Sequence, residues 1–322
     1  MKTIGVFTSG GDSPGMNACI RAVVRSAIFH KKKVIGIMRG YDGMIQNNMA
    51  ELNSRSVSNI IHRGGTILKT ARSKDFMTDR GMKTAYENVK KNKIDALVAI
   101  GGDGTFRGAV EFNTKYDIPF IGIPGTIDND LMGTDFTLGF DTAVNTAIEA
   151  IDKIRDTAAS HNRLFFIEVM GRDSGYLALW AGVAGGAEDI LLPESKTNVA
   201  DLVNKLEEGV KKGKESSIVV VAEGDEGGGA MKIAEEVKKK FNYDTRVSIL
   251  GHIQRGGTPT ACDRILGTKF GVFAVESLLK GETDKMTGIQ KNQLVLVDLK
   301  KAIKHHSPLD KHLIRYSRFL SI

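Results

Sequence analysis

Residues 94–130 read IDALVAIGGDGTFRGAVEFNTKYDIPFIGIPGTIDND, and the way this stretch is punctuated decides the fold. Two short apolar runs, residues 96–100 and 119–123, are each followed at once by glycine and acidic residues. Runs of about five small or β-branched residues, separated by a helix-length segment, fit buried parallel strands joined by a crossover helix. Two βα loops then open on one sheet edge. Ligands of open α/β sheets sit at the carboxyl ends of the strands, so residues 101–105 and 125–130 are expected to line one crevice.

The residues of those loops suggest phosphate chemistry. Gly101, Gly102 and Gly104 let backbone approach an anion closely, at the start of the following helix where N–H groups are free. The single acid, Asp103, suits a magnesium ion held by one carboxylate and by phosphate oxygens. Asp128 and Asp130 are two residues apart, so in an extended chain both would project to one side, as expected of carboxylates that remove a proton beside a phosphate. Glycine and aspartate are also ordinary turn residues, and it is the repetition at two consecutive strand ends that favours a site.

A chain of 322 residues exceeds the usual single-domain size, so two domains are expected. The hydrophobic fraction of 41% and the mixed charges are those of a globular protein. A formal net charge of +7 admits anionic partners, but the lysine clusters at 31–33, 211–214 and 238–240 fall at predicted helix ends, where solvated cations are common. No basic stripe interleaved with aromatics appears, which argues against nucleic acid. Cys19 and Cys262 are far apart without a C-x-x-C partner, so neither a disulfide framework nor a zinc site is expected, and a reducing cytoplasm is the expected location. No apolar run reaches membrane-spanning length, and the chain runs straight into a strand at residues 3–8.

Beyond that strand, a loop at residues 9–15 (SGGDSPG) precedes a helix over 16–29. The loop lacks both the P-loop and the dinucleotide fingerprint. Strands are predicted over 34–37, 164–169, 190–192, 218–222, 247–250 and 294–297. Helices are predicted over 56–62, 78–91, 141–157, 175–184, 200–212, 231–241 and 261–279, the one over 141–157 burying Val144, Ile148, Ile151 and Ile154. This alternation implies doubly wound α/β architecture with mostly parallel sheets. Met170-Gly171-Arg172 and His252 to Gly257 again follow strands, and arginine beside glycine suits a phosphorylated ligand.

Taken together and in order, Thr8 to Asp12, Gly101 to Thr105, Pro124 to Asp130, Val169 to Arg172 and Leu250 to Gly257 resemble the motifs of bacterial ATP-dependent 6-phosphofructokinases, from Lys2 to about Asp298. GGDGT alone occurs in other nucleotide-using kinases; the combination is specific. The resemblance implies two three-layer α/β/α domains, residues 1–138 with 251–304 binding ATP and 139–250 with 305–322 binding sugar phosphate. It also implies a homotetramer and phosphoryl transfer from MgATP to the 1-hydroxyl of fructose 6-phosphate in glycolysis.

Carried over by position, Gly11, Arg72, Gly102, Asp103, Gly104, Thr105 and Gly108 would contact MgATP, with Asp103 on the metal. Thr126, Asp128, Met170, Gly171, Arg172, Glu223, His252 and Arg255 would hold the sugar phosphate, and Arg163 and Arg246 would come from a neighbouring subunit. Asp128 would accept the hydroxyl proton, with Arg172, Asp130 and Thr126 beside it. Arg21, Arg25, Arg155, Gly186, Glu188, Lys212 and Lys214 match positions that bind ADP or phosphoenolpyruvate as effectors. Ser54 stands where the family has an arginine, which implies a blunted response, and Arg55 would point elsewhere in an extended chain. Two rivals are weighed. A pyrophosphate-dependent relative would carry an acid at residue 104 and a lysine at 125, where this chain has glycines. A non-catalytic sugar-phosphate sensor would not need Asp103 and Asp128 together.

Overall fold

The computed structural model describes residues 1–303 and 307–320. In chain order it forms β1 (Thr3–Thr8), α1 (Met16–Phe29), β2 (Lys33–Ile37), α2 (Gly40–Ile45), β3 (Met49–Leu52), α3 (Asp79–Lys91), β4 (Ala96–Gly101), α4 (Asp103–Tyr116), β5 (Phe120–Pro124) and α5 (Phe140–His161). There follow β6 (Leu164–Val169), α6 (Tyr176–Ala184), β7 (Asp189–Leu191), α7 (Val199–Lys211), β8 (Ser217–Ala222), α8 (Gly229–Lys240) and β9 (Thr245–Ile249). The remainder is α9 (Ala261–Leu279), β10 (Lys285–Gln290), β11 (Gln293–Asp298), α10 (Leu299–Ala302) and α11 (Lys311–Leu320).

Two compact units result. The first comprises Met1–Ile127, Leu131–Thr142 and Arg255–Ser307; the second comprises Asp128–Asp130, Ala143–Gln254 and Pro308–Ile322. The expected junction between residues 304 and 305 lies outside the described residues.

In the first unit the strand order is β11-β10-β5-β4-β1-β2-β3. It is parallel from β10 to β2, with β3 and β11 antiparallel at the two edges. Alternate side chains of a strand face opposite layers. Ile4, Val6, Val98 and Ile100 accordingly pack under α1 and α9, while Phe7, Leu97 and Ala99 pack with Tyr41, Phe76, Phe112 and Phe120 on the other face. The α1–α9 pair is close because Gly271 faces it: a Cβ there would stand 2.6 Å from the Ala22 Cβ and 2.7 Å from the Cys19 carbonyl oxygen. Burial in this layer pushes the Cys19 thiol far up from its ordinary pKa. Cys262 is exposed, and both cysteines are free thiols.

The second unit has the fully parallel order β7-β8-β6-β9. Leu164, Phe166, Val219 and Val221 are covered by Leu202, Val203 and Leu206 of α7 and Ile233 and Val237 of α8. Truncating one such side chain to alanine costs about 2–5 kcal/mol.

The structure corrects the sequence reading at several elements. Residues 56–62 form turns, not a helix. The Asn53 Oδ1 accepts from the N–H groups of Arg55 and Ser56, and the Ser58 hydroxyl donates to the Arg55 carbonyl, local bonds that compete with helical ones. α2, β3, β10, α10 and α11 were not anticipated, nor was the hairpin of β10 with β11. Its turn residues Lys291 and Asn292 both have positive φ, 50° and 64°, as a type I′ two-residue hairpin requires. No described helix is long and apolar enough to cross a membrane.

Candidate active site

The glycine loops of the first unit are built by close approach of β1 and β4. A Cβ on Gly101 would lie 2.5 Å from the Ser9 carbonyl oxygen and 2.4 Å from the Thr105 Oγ1. Glycine is therefore required there by packing. The buried Thr105 hydroxyl donates to the Ser9 oxygen at 3.0 Å, which joins the loop after β4 to the one after β1. From below, the Tyr41 hydroxyl donates to the Thr105 carbonyl at 2.6 Å, and its ring lies 3.0 Å from where a Cβ on Gly108 would be. Burial drives the Tyr41 pKa far up, so the phenol stays a donor.

Gly104 is different: a Cβ built there meets nothing within 4 Å, so this glycine faces room for a ligand. α4 begins at Asp103 without a side-chain cap, Gly102 taking extended backbone at φ −99° and ψ −161°. Thr105 and Phe106 N–H groups bond the Gly102 carbonyl, leaving those of Asp103 and Gly104 for an incoming anion, which the helix start favours. One turn on, Arg107 Nε lies 2.8 Å from Asp103 Oδ2, a partner the sequence reading did not single out. The second strand-end loop adjoins the first, since a Cβ on Gly102 would sit 3.6 Å from the Thr126 Cβ. Arg72 is exposed. It follows Thr70, whose hydroxyl donates to the Gly10 carbonyl at 2.8 Å.

In the second unit the buried Asp128 carboxylate lies 3.6 Å from Arg172 Nε. The turn that presents Arg172 is unusual, with φ 142° at Gly171 and 52° at Arg172. Glu223, at the end of β8, holds it there: its Oε1 accepts from the N–H of Gly171 at 3.3 Å and of Arg172 at 2.8 Å. The Met170 N–H donates to the fully buried Gln254 side chain at 3.4 Å, and the Ser174 hydroxyl donates to the Asp128 carbonyl at 3.0 Å. Gln254 and Ser174 escaped the sequence reading because nothing in their spacing marks them. The expectation that Asp128 and Asp130 share one side is corrected. Asn129 between them has φ 50°, so the chain is not extended there, and Asp128 is buried while Asp130 is half-buried.

Arg163 and Arg246 are gathered by one acid. Asp244 Oδ2 lies 2.7 Å from Arg163 Nε, and its Oδ1 pairs with Arg246. The hydrogen bond from Arg163, and then the Arg246 charge, hold the Asp244 carboxyl below its usual range. His252 is exposed on a short 3-10 turn, Gly251–Arg255. Arg255, in the first unit, lies against Gly11 with Nη1 2.9 Å from the position of a Cβ.

The residues matched to effector binding fall on both units. Arg21 and Arg25 are on α1, half-buried and exposed. Arg155 donates to the carbonyls of Gly185 and Gly186 at 2.5 and 2.8 Å. Glu188, Lys212 and Lys214 line a cavity of about 220 Å³ together with Lys205 and Arg318 of α11. Ser54 is exposed in the turn that Asn53 organises, so the extended-chain argument for where Arg55 points does not hold.

Residues 3–278 match the family described as Phosphofructokinase. The chain is 53% identical over 323 residues to an ATP-dependent 6-phosphofructokinase 2 of Bacteroides thetaiotaomicron, covering 100% of this chain and 99% of that protein. It is 54% identical to ATP-dependent 6-phosphofructokinase 1 of Thermus thermophilus over 322 residues, the full length of both. Among solved structures, a chain of phosphofructokinase from Saccharomyces cerevisiae superposes with a TM-score of 0.89 at 36% identity, covering 94% of this chain and 45% of that longer one.

Proposed function

The chain belongs to the phosphofructokinase family, and from that premise we infer that it transfers the γ-phosphoryl group of ATP to the 1-hydroxyl of fructose 6-phosphate. The products are fructose 1,6-bisphosphate and ADP, and the reaction is a step of glycolysis. The observation that carries the reading within the structure is the buried Asp128 carboxylate beside Arg172, a base and a cation fixed together at a strand end.

Phosphoryl transfer is catalysed by positioning and charge neutralisation more than by covalent chemistry. The first unit is the ATP-binding domain in this reading, with Gly11, Gly102, Gly104, Thr105 and Arg72 around the phosphates. The second is the sugar-phosphate domain, with Met170, Gly171, Glu223 and His252 assigned to fructose 6-phosphate; Thr126 and Arg255 carry the same assignment by family position. Asp128 takes the hydroxyl proton. An ordinary aspartate has a pKa of about 3.9 and is a weak base for an alcohol, so the proton moves late, as oxygen gains its bond to phosphorus. Arg172 and the Gly11 N–H offset charge on the transferred group, and Asp130 and Thr126 hold the base segment.

The donor set fits a magnesium ion that arrives with the nucleotide. Asp103 has one oxygen engaged by Arg107 and a second for metal, beside Gly104, where a Cβ would meet nothing within 4 Å. Asp103 is the residue we assign to it. The ion supplies charge neutralisation at the phosphate oxygens.

Arg163 and Arg246, paired by Asp244, would serve a neighbouring subunit's sugar phosphate in a homotetramer. ADP and phosphoenolpyruvate would act as effectors through Arg21, Arg25, Arg155, Gly186, Glu188, Lys212 and Lys214. A cytoplasmic location accords with these substrates. The test is a coupled assay of ADP release from ATP and fructose 6-phosphate. Dependence on both is expected, and absence of turnover, or equal use of pyrophosphate, overturns the assignment.

A further inference from the structure

Outside the groups assigned above, the buried acid Asp263, in the first turn of α9 and 1% exposed, accepts three hydrogen bonds. Its Oδ1 accepts from the Gly139 N–H at 2.7 Å; its Oδ2 accepts from the Thr142 N–H at 2.9 Å and the Thr142 hydroxyl at 2.5 Å. The start of α5 is thereby bound to the start of α9. The bond is reciprocal, because the Thr260 N–H donates to the Thr142 oxygen at 3.1 Å and the Thr260 hydroxyl to Asp141 at 2.5 Å.

What this clasp fixes is the chain leading into the proposed base. Directly before Gly139, the Leu138 N–H donates to the Pro124 carbonyl at 2.8 Å, and the Thr137 hydroxyl donates to the Thr126 carbonyl at 2.7 Å. Thr126 is two residues ahead of Asp128. The glycine loop after β1 meets the same place. A Cβ on Gly139, whose φ is 102°, would lie 2.5 Å from the Ser13 Cβ, and one on Gly15 would lie 3.3 Å from the Asp263 Cβ.

We propose that Asp263 is a positioning residue for phosphoryl transfer: by gathering Gly139 and Thr142 it holds the segment from which Thr137 and Leu138 anchor the loop that carries Asp128. The proposal rests on the reaction assigned above. A protonated carboxyl facing three donors has lost acceptor capacity, so the clasp is complete only when Asp263 is ionised. Burial, and then the nearby Asp141, raise its pKa to about 6, against the pull of the three donors. Charged or titratable neighbours are Asp141 on α5 and Cys262 on its own helix; Gly139, Thr142, Thr260 and Gly15, the other groups facing it, carry no charge.

The test compares kcat as a function of pH for the wild type, Asp263→Asn and Thr142→Val. The wild type should show an acid limb with a midpoint near 6. In Asp263→Asn kcat should fall roughly tenfold, with KM for both substrates little changed and the Asp263 component of that limb absent. In Thr142→Val, which removes one donor to the carboxylate, the midpoint should move to higher pH. Ionisation of the sugar phosphate affects all three proteins alike, so differences between them isolate Asp263. A residue that only supported the fold would lower the melting temperature without moving the midpoint. An unchanged midpoint in Thr142→Val, or unchanged kcat in a folded Asp263→Asn, overturns the proposal. A wild type inactive with ATP and fructose 6-phosphate overturns the assigned reaction instead, and the Asp263 titration is then still read from melting temperature against pH.

Discussion

Arg255 lies over Gly11 so closely that a Cβ at residue 11 would stand 2.9 Å from its Nη1. The two residues carry different assignments, one to nucleotide and one to sugar phosphate, yet they are in contact within the first unit. The obstacle at residue 11 is the far end of a flexible side chain, so Gly11→Ala should be folded with a near-normal melting temperature. The displaced guanidinium should raise KM for fructose 6-phosphate together with that for ATP, each on the order of tenfold. A rise confined to ATP would show that the contact has no bearing on the second substrate.

Asp128→Asn preserves size and removes the proton acceptor. Turnover should drop at least ~10²-fold with little change in either KM, as read in steady-state kinetics. Near-normal turnover would remove Asp128 from the mechanism.

Gly104→Asp tests the choice of phosphoryl donor. The site meets no neighbour within 4 Å, so stability should change by no more than about 0.5 kcal/mol. The new charge would repel nucleotide phosphates and weaken use of ATP selectively. In the unmodified protein pyrophosphate should not support turnover, and robust pyrophosphate-dependent activity would defeat this reading.

Ser54→Arg addresses regulation. A charge-assisted hydrogen bond contributes about 1.5–3 kcal/mol, so restoring the missing cation should strengthen effector binding tenfold or more. Fructose 6-phosphate saturation with and without ADP and phosphoenolpyruvate measures this. Equal effector potency in the two proteins would count against an effector site reached from residue 54.

Asp263 also predicts a slope in stability. Its folded pKa of about 6 lies above the 3.8 of an ordinary aspartate, so its contribution is full below about pH 3.8 and is lost as pH rises through 6. The gap between the two values corresponds to about 3 kcal/mol of folding free energy. Chemical denaturation of the wild type and Asp263→Asn between pH 4 and 8 should show this component in the wild type alone. Parallel curves would refute it.

The strand-end loops were legible in the sequence because each follows an apolar run long enough to be a strand, and glycine and acid placed there have few other uses. The missed elements lacked that signal. β10 carries lysine, threonine and glycine and becomes a strand by pairing with β5 and β11. The helix expected over 56–62 is replaced by turns, because the segment leading into it closes on itself through Asn53 and Ser58. In the sites, Glu223 matched a family position, but its role in holding the Arg172 turn came from its bonds. Asp244 reaches Arg163, Gln254 reaches Met170, and Asp263 reaches Gly139 and Thr142 across long stretches of sequence, and no local periodicity encodes such bonds.

The interleaving of the two units bears on how the protein is made. β5 ends at Pro124 and takes its outer neighbour, β10, from Lys285 onward. During synthesis at about 5–20 residues per second, that edge of β5 stays unpaired for roughly ten to thirty seconds. In the interval Ile121 and Ile123, buried in the finished protein, sit on an open parallel strand edge of the kind that nucleates aggregation. The nascent chain therefore has a window in which it depends on chaperones or on low concentration, and a stop codon placed between α9 and β10 would leave it in that state permanently.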